Sequence, residues 1–333
     1  MSSPVDVILC GAGRMGKNHL RVLSESPDFR LRAIVDPVLA ARSKDVSGVP
    51  VVGELADVPT DYAAAVVATP TETHHGLGRA LIGQGKHVLL EKPFASTVQQ
   101  CNELIALAET TGSKVAIGHV ERFNPVVRKV ADVLQAGFAG TPIHFSFTRV
   151  GGYPESVRDG NNVLLDLAVH DLDILYMLSG RTELVASVCH DTLQEKVFDT
   201  AEMLLKTAQG ASASVHVNWL SPTKIRTLRV TGSKGVLFAD LILQTCTIYG
   251  GNLLRRGPEP SLVDFSQLAE DYRNSDKIEF NVRKEEPLRG QLSAFRRFLD
   301  GEVTPICQPV EATRAVQLAI EALARTAHAV PSS

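Results

Sequence analysis

Short apolar runs alternate with helix-period stretches through the first third of the chain. Residues 5–10, 31–35, 49–52, 63–69, 88–90 and 114–118 are each of strand length and nearly free of polar positions, the pattern of strands covered on both faces. Helical patterns fill the gaps. One carries His19, Leu20, Val22 and Leu23, a second covers about 75–84, and a third covers 96–110. In the third, Ser96 and Gln99 have capping-box spacing, Val98, Cys101, Ile105 and Ala108 make a stripe, and Gly112 stands where the helix should stop. Strand–helix alternation of this kind predicts a parallel sheet with right-handed crossovers.

After residue 125 the pattern changes. A helix over 126–134 is followed by strand-like runs at 143–150, 184–190, 200–206, 211–219, 227–231, 236–239 and 243–249. Turn signals at Gly210 and at Gly232-Ser233-Lys234-Gly235 separate neighbours as hairpin turns do. Polar His216 and Asn218 alternate with apolar residues, so one face of this sheet should lie away from the core. The expected architecture is α/β: a doubly wound parallel sheet in residues 1–120, then an α+β domain over 121–333 with an open, mostly antiparallel sheet. Two helices close the chain, the first on Leu288, Leu292, Phe295 and Leu299, the second on Ala312, Val316, Ala319, Ile320 and Leu323.

Composition narrows the function. The 333 residues suffice for two cores. A net charge of −3 carries no general attraction to nucleic acid or an anionic membrane. The five cysteines are scattered and never form a Cys-x-x-Cys pair, which favours free thiols in a reducing compartment over a disulfide framework or a zinc site. With no basic leader and no apolar run near ~20 residues, a soluble cytoplasmic protein is expected.

The chemistry gathers where predicted strands end. Gly11-Ala12-Gly13-Arg14-Met15-Gly16 lies between a strand and a helix, where glycines permit a tight turn and a helix N-terminus receives a pyrophosphate. Asp36 ends the next strand 20 residues after Gly16, the spacing of a carboxylate that accepts from ribose hydroxyls and repels a 2′-phosphate. NAD is therefore the expected cofactor, with Thr69, Pro70, Thr71 and His74 in the loop after a later strand as further contacts. Residues 87–93 read His-Val-Leu-Leu-Glu-Lys-Pro, a buried strand that stops in Glu91, Lys92 and Pro93. Charges at the carboxyl end of a parallel strand read as site chemistry. His119, Glu121, Arg122 and Asn124 follow the last strand of this half, with Arg122 a bidentate donor for a phosphate or carboxylate. Farther on, Asp166, His170 and Asp173 stand at i, i+4 and i+7 of a largely apolar helix, so they should share one face. Asp166 and His170 suit an acid/base pair, and no metal is expected. Arg149 and Arg158 flank a glycine-rich loop as donors for an anionic substrate.

The glycine fingerprint, Glu91-Lys92-Pro93 and Asp166-x-x-x-His170 together resemble the glucose–fructose oxidoreductase/inositol dehydrogenase (Gfo/Idh/MocA) family over essentially the whole chain. That resemblance implies a Rossmann domain, a second domain whose open sheet builds dimers or tetramers, and oxidation or reduction of secondary alcohols with a nicotinamide nucleotide. It carries a catalytic role onto Lys92, Asp166 and His170, either side chain, Lys92 or His170, serving as the base. A narrower likeness runs through Gly118-His119-Val120-Glu121-Arg122-Phe123-Asn124-Pro125 and residues 165–173, toward the members that oxidise C3 of UDP-N-acetylglucosamine. It implies a UDP-sugar bound by Arg122 and a loop arginine, Arg149 or Arg158, with Asn124 on the sugar, and a 3-keto product passed to an aminotransferase for lipid A-type diamino sugars. The alternatives are an inositol or aldose dehydrogenase and a non-catalytic NAD sensor.

Overall fold

The computed structural model describes residues 3–58, 61–154, 162–250 and 276–327. The chain divides into two units, one of residues 1–123 and 285–320, the other of 124–284 and 321–333.

In the first unit, seven strands form one sheet in the order β3-β4-β2-β1-β5-β6-β7. They are β1 (Val5–Cys10), β2 (Phe29–Val35), β3 (Asp45–Val46), β4 (Val49–Val52), β5 (Ala64–Val67), β6 (His87–Glu91) and β7 (Val115–Gly118). All pairings are parallel except the two-residue β3, which folds back on β4. Helices α1 (Arg14–Glu25), α3 (Thr71–Gly83) and α4 (Val98–Thr111) connect successive strands, and a short α2 (Pro37–Ala40) follows β2. The side chain of Thr97, rather than Ser96, caps α4 by accepting from the Gln100 N–H. Gly112 ends that helix in the left-handed conformation, as its sequence position suggested.

The register fixes where site chemistry can stand. Val35, Cys10, Val67 and Leu90 lie in one transverse row. The residues that follow them, Asp36, Gly11, Ala68 and Glu91, therefore leave the sheet together at its carboxyl edge, with Glu91 opposite Gly118. Strand order reverses between β1 and β5, the switch point at which such sheets bind ligands.

The single domain boundary expected near residue 120 is too simple. Helix α7 (Pro287–Leu299) returns to the first unit. Its Leu288, Leu292 and Phe295 join Val7, Leu9, Val22 and Leu23 in one buried cluster, and burial of each such side chain contributes about 1.5–3 kcal/mol. An apolar stripe shows that a helix needs a core but not which one.

The second unit holds an eight-stranded sheet in the order β15-β14-β13-β12-β8-β11-β10-β9. Its strands are β8 (Pro142–Val150), β9 (Thr182–His190), β10 (Thr200–Thr207), β11 (Ser212–Asn218), β12 (Ile225–Gly232), β13 (Gly235–Asp240), β14 (Thr245–Gly250) and β15 (Asp276–Phe280). Among the described residues, only β8 and β11 pair in parallel in this sheet. Helices α5 (Pro125–Gln135) and α6 (Val169–Ser179) pack against strands of this sheet, where Phe145, Phe147, Met203, Leu205, Val215 and Leu228 are buried. The opposite face alternates out, carrying exposed Leu204 and Phe238. The last helix among the described residues, α8 (Pro309–Ala327), follows α7.

Candidate active site

The turn after β1 uses its three glycines for three different reasons. Gly11 has φ +92°, and a Cβ there would lie 2.6 Å from the Ala68 carbonyl oxygen, so only glycine fits. A Cβ on Gly16 would come within 2.1 Å of the Gly11 oxygen, which makes it the close-packing glycine between helix and turn. Gly13 is the opposite case, with nothing within 4 Å of the place its Cβ would occupy. It is also the N-cap of α1 and supplies no side-chain cap, so the leading N–H groups of that helix remain available to an anion. Close packing at two positions and open space at the third is the shape a pyrophosphate requires.

Asp36 closes the other side of this turn. One carboxylate oxygen accepts from the Ala12 N–H at 2.7 Å, and the other from the Leu39 N–H at 2.8 Å, capping α2. Each oxygen keeps a second acceptor position, so the same side chain can shape the loop and hold ribose hydroxyls. The residues present therefore fit NAD. Arg14 is exposed and Met15 half-buried on the first turn of α1. Thr69 and Pro70 lead into α3, which starts at Thr71, and the Thr73 hydroxyl donates to the Thr69 hydroxyl at 2.6 Å.

His74, expected to touch the cofactor, is held as a strut between two loops. It is buried, with Nδ1 2.9 Å from the Pro93 carbonyl oxygen and Nε2 3.0 Å from that of Thr69. Each ring nitrogen faces one of these carbonyls and whichever carries the proton donates, so the ring bridges the loop after β5 and the loop after β6. Burial pushes its pKa below the ordinary imidazole value, against the opposing pull of the carbonyls and of Glu91.

At the end of β6, Glu91 is buried and faces His19 of α1, with Nε2 to Oε1 at 2.7 Å. Its other oxygen accepts from the Lys92 N–H at 3.2 Å. The Lys92–Pro93 peptide bond is cis, and Lys92 itself is half-buried. Gly118 on β7 leaves room for this arrangement, since a Cβ there would meet the Glu91 carboxyl carbon at 2.9 Å. The sequence placed His19 among the apolar positions of α1, and its bond to Glu91 was missed. A polar ring on the inward stripe of a helix, with a carboxylate ending a buried strand, was the available signal.

The polar stretch after β7 is largely inward. His119, Glu121 and Arg122 are buried. The Arg122 guanidinium donates to Glu311 at 2.8 Å, so part of its fork is already answered by a carboxylate of the protein. Asn124 caps α5 by accepting from the Val126 N–H and donates to the Leu241 carbonyl at 2.9 Å. These two contacts serve the fold.

In the second unit, the stretch expected to be a plain α-helix opens with a π-helical turn, Leu164–Ala168, before α6. The extra residue per turn alters the i, i+4, i+7 register from which a shared face for Asp166, His170 and Asp173 was read. Asp166 and His170 are half-buried, whereas Asp173 is buried. Asp166 accepts from the Trp219 indole N–H at 3.2 Å. Such single π turns occur often at functional sites. Asn162 supports the turn by accepting from the Leu165 N–H at 2.9 Å.

Arg149 lies on β8, within the strand expected over 143–150, is 1% exposed, and points both Nε and Nη2 at Asp171 of α6. A guanidinium and a carboxylate inside two apolar elements have to answer each other, so Asp171 is the partner that the sequence reading overlooked. Arg158 lies outside the described residues.

Residues 5–119 match the family described as "Oxidoreductase family, NAD-binding Rossmann fold", and residues 127–238 match the "GFO/IDH/MocA C-terminal domain". A scyllo-inositol 2-dehydrogenase (NAD(+)) of Bacillus subtilis is 25% identical over 342 residues, covering 97% of this chain and 94% of that protein. A UDP-N-acetylglucosamine 3-dehydrogenase of Acidithiobacillus ferrooxidans is 26% identical over 241 residues, 72% of this chain and 69% of that protein. The crystal structure of UDP-N-acetylglucosamine 3-dehydrogenase GnnA from that species superposes with a TM-score of 0.81 at 21% identity, covering 97% and 98% of the two chains.

Proposed function

Because this chain belongs to the Gfo/Idh/MocA oxidoreductases, we propose that it oxidises the C3 hydroxyl of UDP-N-acetylglucosamine with NAD. The observation that carries the reading is the carboxyl edge of the first unit. The space kept at Gly13 and the bond that fixes Glu91 beside Lys92 lie just past Cys10 and Leu90, which share one register row of one sheet. NAD, held by the glycine turn and Asp36, supplies the hydride acceptor.

The protein's own part is the proton. As the carbinol C–H bond breaks, the hydroxyl proton must pass to a base, and such help contributes about 10²–10⁴ in rate. By chemical type, His170 takes the proton with Asp166 as its orienting acid, and Lys92 holds the substrate oxygen as charge develops on it. Exchanging the two roles requires only that Lys92 be the neutral partner. Lys92→Met and His170→Asn should each depress turnover while NAD still binds, and near-normal turnover in both would overturn the assignment.

The UDP-sugar reading is supported by the Acidithiobacillus relative. The 3-keto product would then suit an aminotransferase. An inositol reading of the same chemistry is favoured by a different observation, since Arg149 and Arg122 are already answered by Asp171 and Glu311. An uncharged cyclitol needs no arginine. Reduced-nicotinamide absorbance on addition of UDP-N-acetylglucosamine, myo-inositol or glucose separates the two readings, and a clear preference for a free polyol would sink the first. The outward face of the second sheet, with Leu204, Ser214, Ser146, Arg229 and Phe238 on one transverse row, supports assembly with a second copy.

A further inference from the structure

We propose that His19 is a positioning residue for Lys92, acting through Glu91; this rests on the catalytic role proposed for Lys92 above. His19 lies on α1, whose N-terminus at Gly13 faces the open space of the glycine turn. Its ring reaches the end of β6, where Nε2 meets Glu91 Oε1 at 2.7 Å. Glu91 Oε2 accepts the backbone N–H of Lys92 at 3.2 Å. One carboxylate therefore joins the nucleotide-binding helix to the residue that carries the amine. Gly118 closes the back of this joint, because any side chain there would strike the Glu91 carboxyl group. His74 holds the far side of the same turn through the Pro93 carbonyl oxygen.

The geometry assigns positioning rather than proton transport. His19 is 0% exposed, and its Nδ1 has no hydrogen-bond partner among the described residues. A proton received on one ring nitrogen has no onward acceptor from the other. With Glu91 as carboxylate, His19 donates from Nε2 and Nδ1 is left as a bare acceptor, which is less costly to bury than an orphan N–H donor. The couple is a fixed brace. Helix and strand end cannot shift independently while it holds, so the Lys92 backbone, the base from which the amine extends, keeps one place relative to the glycine turn.

The test compares His19→Leu, His19→Gln and His19→Asn in the full chain. Glutamine can present an N–H near the position of Nε2, whereas leucine has no donor and asparagine is too short to reach. Misplacement of a reacting group by about 1 Å costs on the order of 100-fold, so kcat should fall about 10- to 100-fold in the Leu and Asn variants. The KM for NAD should change less than about 3-fold, and Gln should recover most of the rate. Equal kcat in Gln and Asn, or a loss carried entirely by the KM for NAD, would overturn the proposal. Should the Leu variant fail to fold, the Gln–Asn comparison decides. A second readout needs no substrate: the rate at which trinitrobenzenesulfonate labels Lys92, followed by peptide mass. That rate should change several-fold in the Asn variant and return toward wild type in Gln. Unchanged labelling overturns the brace, while a wild-type protein that oxidises no sugar overturns only the activity proposed above.

Discussion

Two buried acid–base couples, one in each unit, look alike in sequence and differ in what surrounds them. Glu91 and His19 meet at the carboxyl edge of the parallel sheet, beside half-buried Lys92 and near the open space at Gly13. Arg149 and Asp171 meet between β8 and α6, where the two residues are 1% and 2% exposed. Both couples place charge inside apolar elements, where an unanswered ion costs several kcal/mol. A buried charge in a strand or helix therefore marks a partner before it marks a site. The functional signal is the conjunction of a satisfied charge with space that the protein has left unfilled. The first couple has that conjunction.

The contrast can be broken most directly at the sealed couple. Arg149→Met should cost about 3–5 kcal/mol in urea unfolding, because it strands Asp171, and Arg149→Met with Asp171→Leu should regain most of it. Unchanged stability with lost turnover would make Arg149 a ligand residue and erase the distinction. At the open couple the reverse pattern is expected. Lys92→Met should lower kcat about 10²–10³-fold with the unfolding midpoint held. The glycine turn sharpens the comparison within nine residues of His19. Gly13→Val should raise the KM for NAD about tenfold or more, worth about 1.4 kcal/mol, without lowering the melting temperature. Gly16→Val should lower it, since the new Cβ meets backbone.

The smallest effect is expected at His74. Burial holds its folded pKa below the unfolded value, which is about 6.5. As pH falls through that value the unfolded chain takes up a proton that the folded chain refuses, so stability is lost on the acid side. Urea midpoints at pH ~7.5 and ~5.5 should therefore separate more in the wild type than in His74→Gln. An equal separation would mean that the two carbonyls outweigh burial and keep the ring charged.

Much of the first unit was legible because its signals are local. A strand running into Gly11-Ala12-Gly13, an acid 20 residues after Gly16, and an apolar run halted by Glu91 need no knowledge of distant residues. What escaped was set by partners far along the chain. His19 and Glu91 are 72 residues apart, and Arg122 and Glu311 are 189 apart. The internal partners of Asn124 and Arg149 were equally hidden, because side chains that cap helices or fill ion pairs have the same chemistry as those that bind substrates. The π turn at Leu164–Ala168 was illegible for another reason. Apolar periodicity over so few residues does not distinguish one helical pitch from the next, and the face assigned to Asp173 depended on that pitch.

The return of α7 to the first unit bears on how the chain is made. The core around Val7, Leu9 and Val22 is closed by Leu288, Leu292 and Phe295, which leave the ribosome some 280 residues after β1 has emerged. Until then the nascent nucleotide-binding sheet has one apolar surface without its cover, a condition that invites chaperone capture and aggregation. The second unit's strands, encoded in between, can pair with their sequence neighbours as they appear. The part of the protein that is read first is thus completed near the end, and a fragment stopping at residue 123 would carry the whole glycine fingerprint on an unfinished core.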